Sequence, residues 1–210
     1  MAWAEPDMFD EVGHGNKPFA MRIPALLVTK SKDGLLNFLT AMWFTPVGFE
    51  PSRMIVAVSK STLTNERLHE TGEFVMAAPS RQMMDYVVMA GRVSGRDADK
   101  WAETGLTPVK AKHISVPLIA EAIGNVEYRV HKVMPFDDKT DLFVGEALAA
   151  YMRKGCMEGD LYKDDSDPLL YLGTKYDENG KSLGKHYAEF SGVKCANYDS
   201  PLLKKYITRR

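Results

Sequence analysis

The sequence predicts a mainly β fold of the α+β class, a closed antiparallel barrel with short helices packed at its rim. Three observations carry that expectation. Short apolar runs dominate the first 150 residues, polar turns separate them, and two stretches carry helix start and stop signals.

In chain order, residues 23–29 (IPALLVT) lead through Lys30-Ser31-Lys32-Asp33-Gly34 into a second apolar run at 34–44, which reads as a hairpin. Residues 54–58 (MIVAV) form a continuous apolar strand and 73–77 (EFVMA) another. Between them, residues 64–71 read as a short helix closed by Gly72. Residues 97–104 read as a second helix, with Asp97 as its cap and Gly105 at its end. Residues 122–134 alternate around Val126, Tyr128 and Val130, and 142–151 (LFVGEALAAY) complete the strands. From Lys154 on, polar and turn-forming residues increase, so loops and arms are expected there. No internal repeat or low-complexity segment interrupts the pattern.

With 210 residues, 45% hydrophobic and 26% charged, the chain has ordinary globular composition and enough length to bury a core. A net charge of -1 leaves no basic field to recruit nucleic acid or anionic lipid. Cys156 and Cys195 have no metal-ligand spacing and form no CxxC pair, which fits a reduced, cytoplasmic protein. The first residues, MAWAEPDMFDEVG, are acidic and lack a signal-peptide pattern, and no apolar run reaches membrane-spanning length.

The run GLLNFLTAMWF at 34–44 is apolar enough for a buried strand, yet it carries an asparagine, a threonine and a tryptophan. A buried amide must find hydrogen-bond partners. Strand alternation puts Asn37, Ala41 and Trp43 on one face and Thr40 on the other. That face suits the wall of a pocket for a flat, polar-edged ligand; it equally suits a plain strand with its Asn near an open end.

Residues 59–65 (SKSTLTN) follow an apolar strand and open the first helix. Hydroxyls, Lys60 and free helix amides there suit a phosphate. A plain N-cap run, with Ser61, Thr62 or Thr64 satisfying the helix amides and Lys60 in water, explains the same residues. Residues 91–101 (GRVSGRDADKW) form a glycine-punctuated turn into the second helix and place Lys100 in its first turn, where a cation opposes the helix dipole. Lys100 is therefore either a solvated lysine or the partner of an anion held at a helix start.

From residue 23 to about 173 the chain resembles the flavin reductase-like family, the FMN-binding split barrels that include flavoredoxin. The matching pieces are PALLVTKSKDGLLNFLTAMW (24–43), IVAVSKSTLTNERL (55–68), GEFVMAAP (72–79), AGRVSGRDADKWAETGL (90–106), VPLIAEAIGNVEYRV (116–130), LFVGEALAA (142–150) and DPLLYLG (167–173). No piece is specific alone; their order and spacing are. The resemblance implies a six-stranded antiparallel split barrel, a homodimer, and FMN bound in or near the subunit interface. The chain has no GxGxxG after a strand, as such a fold requires none.

By position, the resemblance implies that Asn37, Thr40, Ala41 and Trp43 border the flavin ring and ribityl chain. Ser59, Lys60, Thr62, Thr64 and Asn65 would hold the ribityl and phosphate end. Ser94, Gly95 and Lys100 would close on the cofactor, and Tyr171 would lie beside the ring. It also divides the chain into an N-terminal arm (1–22), the split-barrel domain (23–175) and a C-terminal extension (176–210).

Three departures accompany the resemblance. Tyr128 stands where many relatives have Cys, which leaves no redox thiol there. Lys139-Thr140-Asp141 stands where some have His, and neighbouring His131 has no assigned role. The segment 176–210 lacks a clear match; His113, His186, Cys195 and the basic end at 204–210 read as surface features.

Two functions are implied. One is hydride transfer from NADH or NADPH to FMN, needing no general acid or base. The alternative is a flavoredoxin-type electron carrier serving a protein redox partner. A split barrel binding another flat ligand is a third, weaker reading. Lys100→Ala is expected to weaken FMN binding while barely affecting the fold.

Overall fold

The computed structural model describes Phe19, residues 21–159, 161–163, 167–179 and 181–188. Most of the N-terminal arm and all of the extension past 188, with Cys195 and the basic end, lie outside the described residues.

Seven antiparallel strands build the main sheet: β1 (Ala25–Lys30), β2 (Leu36–Ala41), β3 (Phe44–Phe49), β4 (Ser52–Ser59), β5 (Glu73–Ala78), β8 (Gly124–Pro135) and β9 (Thr140–Met152). Two short strands, β6 (Pro108–Val109) and β7 (Leu118–Ile119), pair beside it. The sheet order is β2-β1-β5-β8-β9-β4-β3. Its two outer strands, β2 and β3, are consecutive in the chain and joined only by Met42 and Trp43. That link spans at most about 11 Å, so the sheet must curl until its edges face each other across a split.

A six-stranded count and a closed barrel are therefore corrected to seven strands and an open ladder. The expected single strand over 34–44 breaks after Ala41, and Phe44 starts the opposite edge, where its ladder partner is Val56. Trp43 thus lies between strands rather than on the Asn37 face.

The first helix, α1 (Leu63–Thr71), has Thr62 as its N-cap and Gly72 in the left-handed region at φ 66. A helix without strong sequence signals, α2 (Met84–Ala90), follows a 3-10 turn at Arg81–Met83. The last helix, α3 (Lys100–Thr104), starts later than expected. Asp99 rather than Asp97 caps it, because Asp99 Oδ1 accepts the Trp101 and Ala102 amides at 3.0 and 3.2 Å. The amides of Asp97 and Ala98 instead close a turn on the Ser94 carbonyl.

Beyond 154, two β ladders replace the expected loops: β10 (Met157–Glu158) with β11 (Leu161–Tyr162), and β12 (Leu170–Tyr176) with β13 (Ser182–Ala188). Among the described residues no helix is long and apolar enough to cross a membrane.

Strand alternation divides the core into two. Leu27, Ala41, Val56, Phe74, Met76 and Phe143 fill the concave side, where Leu68 of α1 packs. Leu26, Val28, Phe38, Val75, Val87 and Trp101 pack the opposite side under α2 and α3. Tyr128, at the position of a Cys in many relatives, is buried and stacks on Phe74 with ring centroids 5.0 Å apart. Burying both faces of β1 explains why its sequence, ALLVTK, is almost continuously apolar.

A fully buried carboxylate ties the long 107–119 connection to the sheet. Glu127 of β8 accepts the Lys112 amide at 2.8 Å, the His113 amide at 2.7 Å and the Tyr151 hydroxyl at 2.6 Å. Burial raises its carboxyl, and these hydrogen bonds with the nearby His113 charge outweigh that and hold it below the ordinary value.

Candidate functional site

The start of α1, β2 and the 90–100 connection enclose a cleft of about 260 Å³. Seven residues singled out in the sequence meet there: Asn37 and Thr40 from β2, Thr62 and Thr64 from α1, and Ser94, Gly95 and Lys100 from the turn.

Asn37 is 3% exposed, and its Nδ2 donates to Thr64 Oγ1 at 3.0 Å. Its Oδ1 is buried with no hydrogen-bond partner among the described residues. Such an acceptor costs stability wherever it stays unpaired. Gly95 closes over it: a Cβ there would lie 2.2 Å from Asn37 Oδ1. Only glycine allows that approach.

Lys100 is 4% exposed, and its Nζ donates to the Phe38 carbonyl at 2.8 Å and the Ala90 carbonyl at 3.2 Å. Ala90 ends α2, where exposed carbonyls favour a cation. Burial without a carboxylate pushes its pKa down to about 8. The solvated reading is thereby corrected: this ammonium holds β2, α2 and α3 together, and its three donors meet two acceptors among the described residues. Thr40 Oγ1 donates to the Val87 carbonyl of α2.

The hydroxyls at 59–65 divide their work. Thr62 Oγ1 accepts the Asn65 amide at 3.2 Å as a true N-cap. Ser61 joins the cleft wall, whereas Ser59, whose Oγ lies 3.0 Å from Ser61 Oγ, is an exposed residue outside it. Lys60 Nζ turns away to the Asp137 carbonyl at 2.7 Å and lies 3.6 Å from Asp141. Asn65 is buried beneath the helix, its Nδ2 donating to Val58 O at 3.3 Å and Asp141 Oδ2 at 3.0 Å. Ser59, Lys60 and Asn65 thus lie outside the cleft lining, a correction to their expected place at the phosphate end.

Asp141 had no assigned part, although an acid opening an apolar strand was the available signal. Its carboxylate also contacts His69 Nε2 at 3.0 Å. Burial raises it, while His69, Asn65 and Lys60 more than compensate and hold it low. Arg92 and Arg96, read in the sequence only as part of a turn, line the cleft; Arg96 also pairs with Glu66 and donates to the Ser61 carbonyl at 3.2 Å. Leu63 and Thr64 open α1, and their amides precede the first acceptor of the helix, Thr62.

The remaining expected residues lie elsewhere. Ala41 is buried in the concave core. Trp43 is 62% exposed in a separate apolar groove with Phe19, Met42 and Ile55, and the Arg22 guanidinium sits 5.0 Å above its ring. Tyr171 pairs with Arg22 through both backbone amides, at 3.0 and 2.8 Å, and packs edge-on against Tyr187. His131 is exposed on β8.

An antiparallel split barrel with a polar cleft at a helix start defines a class, and the comparisons place the chain in it. Residues 20–180 match the flavin reductase like domain, and the protein belongs to that family. An uncharacterized protein of Archaeoglobus fulgidus is 35% identical over 153 residues, 73% of this chain and 82% of its own. Flavoredoxin of Desulfovibrio vulgaris superposes with a TM-score of 0.76 at 22% identity, covering 92% of this chain and 99% of its own. An FMN-binding protein from Thermus thermophilus, solved with p-hydroxybenzaldehyde, gives 0.72 at 25% identity, covering 94% and 100%.

Proposed function

We propose that this protein is an FMN-binding oxidoreductase in which NADH or NADPH reduces the flavin. The observation that carries the reading is the buried, unpartnered Asn37 Oδ1 at the floor of a cleft that also holds Lys100. An acceptor and a cationic donor around one cleft fit the flavin ring edge, which presents an imide N–H between carbonyl oxygens. Ser61, Thr62, Arg96 and the first amides of α1 suit the phosphate end. The residues present therefore fit the group.

Bound FMN supplies the hydride and electron chemistry itself. The chain's own residues would bind and orient: Lys100 would donate and carry charge, and Asn37 would accept where the Gly95 turn that covers its Oδ1 shifts aside. No side chain is required as general acid or base.

The same cleft serves an electron carrier, a reading supported by the likeness to flavoredoxin. Homodimerisation belongs to the proposal, with the edge strand β3, exposed Trp43 before its start and fully exposed Phe49 at its end, as the apolar surface that a second copy covers.

The test is titration of the apoprotein with FMN and riboflavin, then anaerobic addition of each nicotinamide. Tighter FMN binding and faster bleaching than free FMN are expected. Equal affinities refute the phosphate assignment, and absent bleaching leaves the carrier reading.

A further inference from the structure

A second cleft, of about 480 Å³, lies across the Gly95–Asp99 turn from the first and shares Gly95 and Arg96 with it. Its wall includes Arg67 of α1, Trp101 of α3 and the backbone around Leu35. Arg67 is only 7% exposed, an unusual place for a guanidinium. Its Nη1 donates to a neutral acceptor, the Leu35 carbonyl, at 2.7 Å. No ion pair joins it to a carboxylate of the described residues: Glu66 is taken by Arg96, and Glu70 by the Lys32 amide at 2.8 Å. Burial pulls its pKa below the ordinary value, with Glu70 and Glu66 opposing from a distance. Trp101 contributes to the same wall. Trp101 is nine-tenths buried, and its Nε1, itself screened from solvent, has no acceptor among the described residues.

A planar guanidinium with five N–H groups and one acceptor among the described residues is built to take an oxyanion. The cleft is not purely cationic, however. Asp97 and Asp99 stand on its rim, and a bare phosphate would meet their repulsion. A sugar phosphate meets both needs, with its oxyanion on Arg67 and its hydroxyls on the carboxylates.

We propose that this second cleft binds a ribose phosphate, either the adenylate half of the nicotinamide dinucleotide or a free mononucleotide. The dinucleotide form rests on the reductase reading above; the mononucleotide form stands without it.

The test is calorimetric titration of the FMN-saturated full chain with 5′-AMP, 2′-AMP and inorganic phosphate. One of the two nucleotides is expected to bind without displacing FMN, and inorganic phosphate about tenfold or more weaker. Arg67→Gln should weaken that nucleotide about tenfold, as loss of a charged hydrogen bond does. Trp101→Phe, which keeps the ring packing and removes the N–H, should weaken it about threefold and decides the matter if Arg67→Gln does not fold. Competition by the nucleotide against NADH or NADPH in flavin reduction identifies the dinucleotide source; binding without competition identifies the mononucleotide. No binding at millimolar nucleotide, displacement by FMN, or wild-type affinity in the variants that fold overturns the proposal. Nucleotide binding that persists where neither nicotinamide bleaches the flavin leaves this site standing and removes the reductase reading alone.

Discussion

Gly95→Ala is the sharpest probe of the cleft floor. Its Cβ would stand 2.2 Å from Asn37 Oδ1, 2.9 Å from Asn37 Cγ and 3.0 Å from Leu63 Cδ2. To regain van der Waals distance the carboxamide must retreat by about 1 Å, in a site with almost no free space. That movement breaks the 3.0 Å bond from Asn37 Nδ2 to Thr64 Oγ1. Overpacking costs about 1–3 kcal/mol and the lost bond about 1 kcal/mol. Reduced freedom of the unfolded chain returns about 0.4–1 kcal/mol, since Gly95 does not use the left-handed region. A net loss of about 2 kcal/mol is expected. In an Asn37→Ala background the obstructing amide is gone, so the same change should cost little. Urea unfolding of the four apoproteins reads the coupling directly, which should be about 2 kcal/mol. Coupling below about 0.5 kcal/mol, with Gly95→Ala as stable as wild type, refutes the close approach on which the site rests.

Other expectations follow from the buried charges and the exposed edge. Lys100→Met should weaken FMN about ten- to a hundredfold by removing a charge-assisted hydrogen bond. The folded-state pKa of about 8 lies below the ordinary 10.5, so the unfolded chain holds more protons between those values. Stability from this site therefore rises with pH across that window, and the variant should lack the rise in urea midpoints measured from pH 7.5 to 10. Glu127→Gln should cost about 3 kcal/mol, because an amide cannot accept all three donors that the carboxylate holds. Its folded pKa is depressed, so the wild-type advantage should disappear as pH falls below the ordinary carboxylate value of 4.5; an advantage that persists in acid refutes the assignment. Sedimentation at micromolar protein should show a dimer, and Phe49→Lys should give a 23.5 kDa monomer; a wild-type monomer with flavin bound contradicts the proposed pairing.

Much of the fold was legible because its signals are local. Continuous apolar runs marked β1, β4 and β5, and the caps Thr62, Gly72 and Gly105 sit where hydroxyl and glycine chemistry puts them. The polar cluster was legible for a related reason: hydroxyls at a helix start and an amide in an apolar strand each ask for partners within a few residues or across one pairing. Seven of the singled-out residues do meet in one cleft.

Local pattern alone determined that this chain makes an antiparallel β protein with a polar corner between β2 and α1. It could not reveal the break at Met42 and Trp43, since that depends on two distant edges of one curled sheet needing a short link. Nor could it tell that Lys100, in the first turn of a helix, ends among the carbonyls of Phe38 and Ala90, or that Asp141 reaches across to Asn65 and His69. Those partners lie 10 to 76 positions apart, and a charge's burial is set by whatever the rest of the chain packs around it. Side-chain type and spacing determined which groups needed partners; only the tertiary structure decided which of them, Asn37 Oδ1 and the Arg67 fork, would be left short of partners among the described residues.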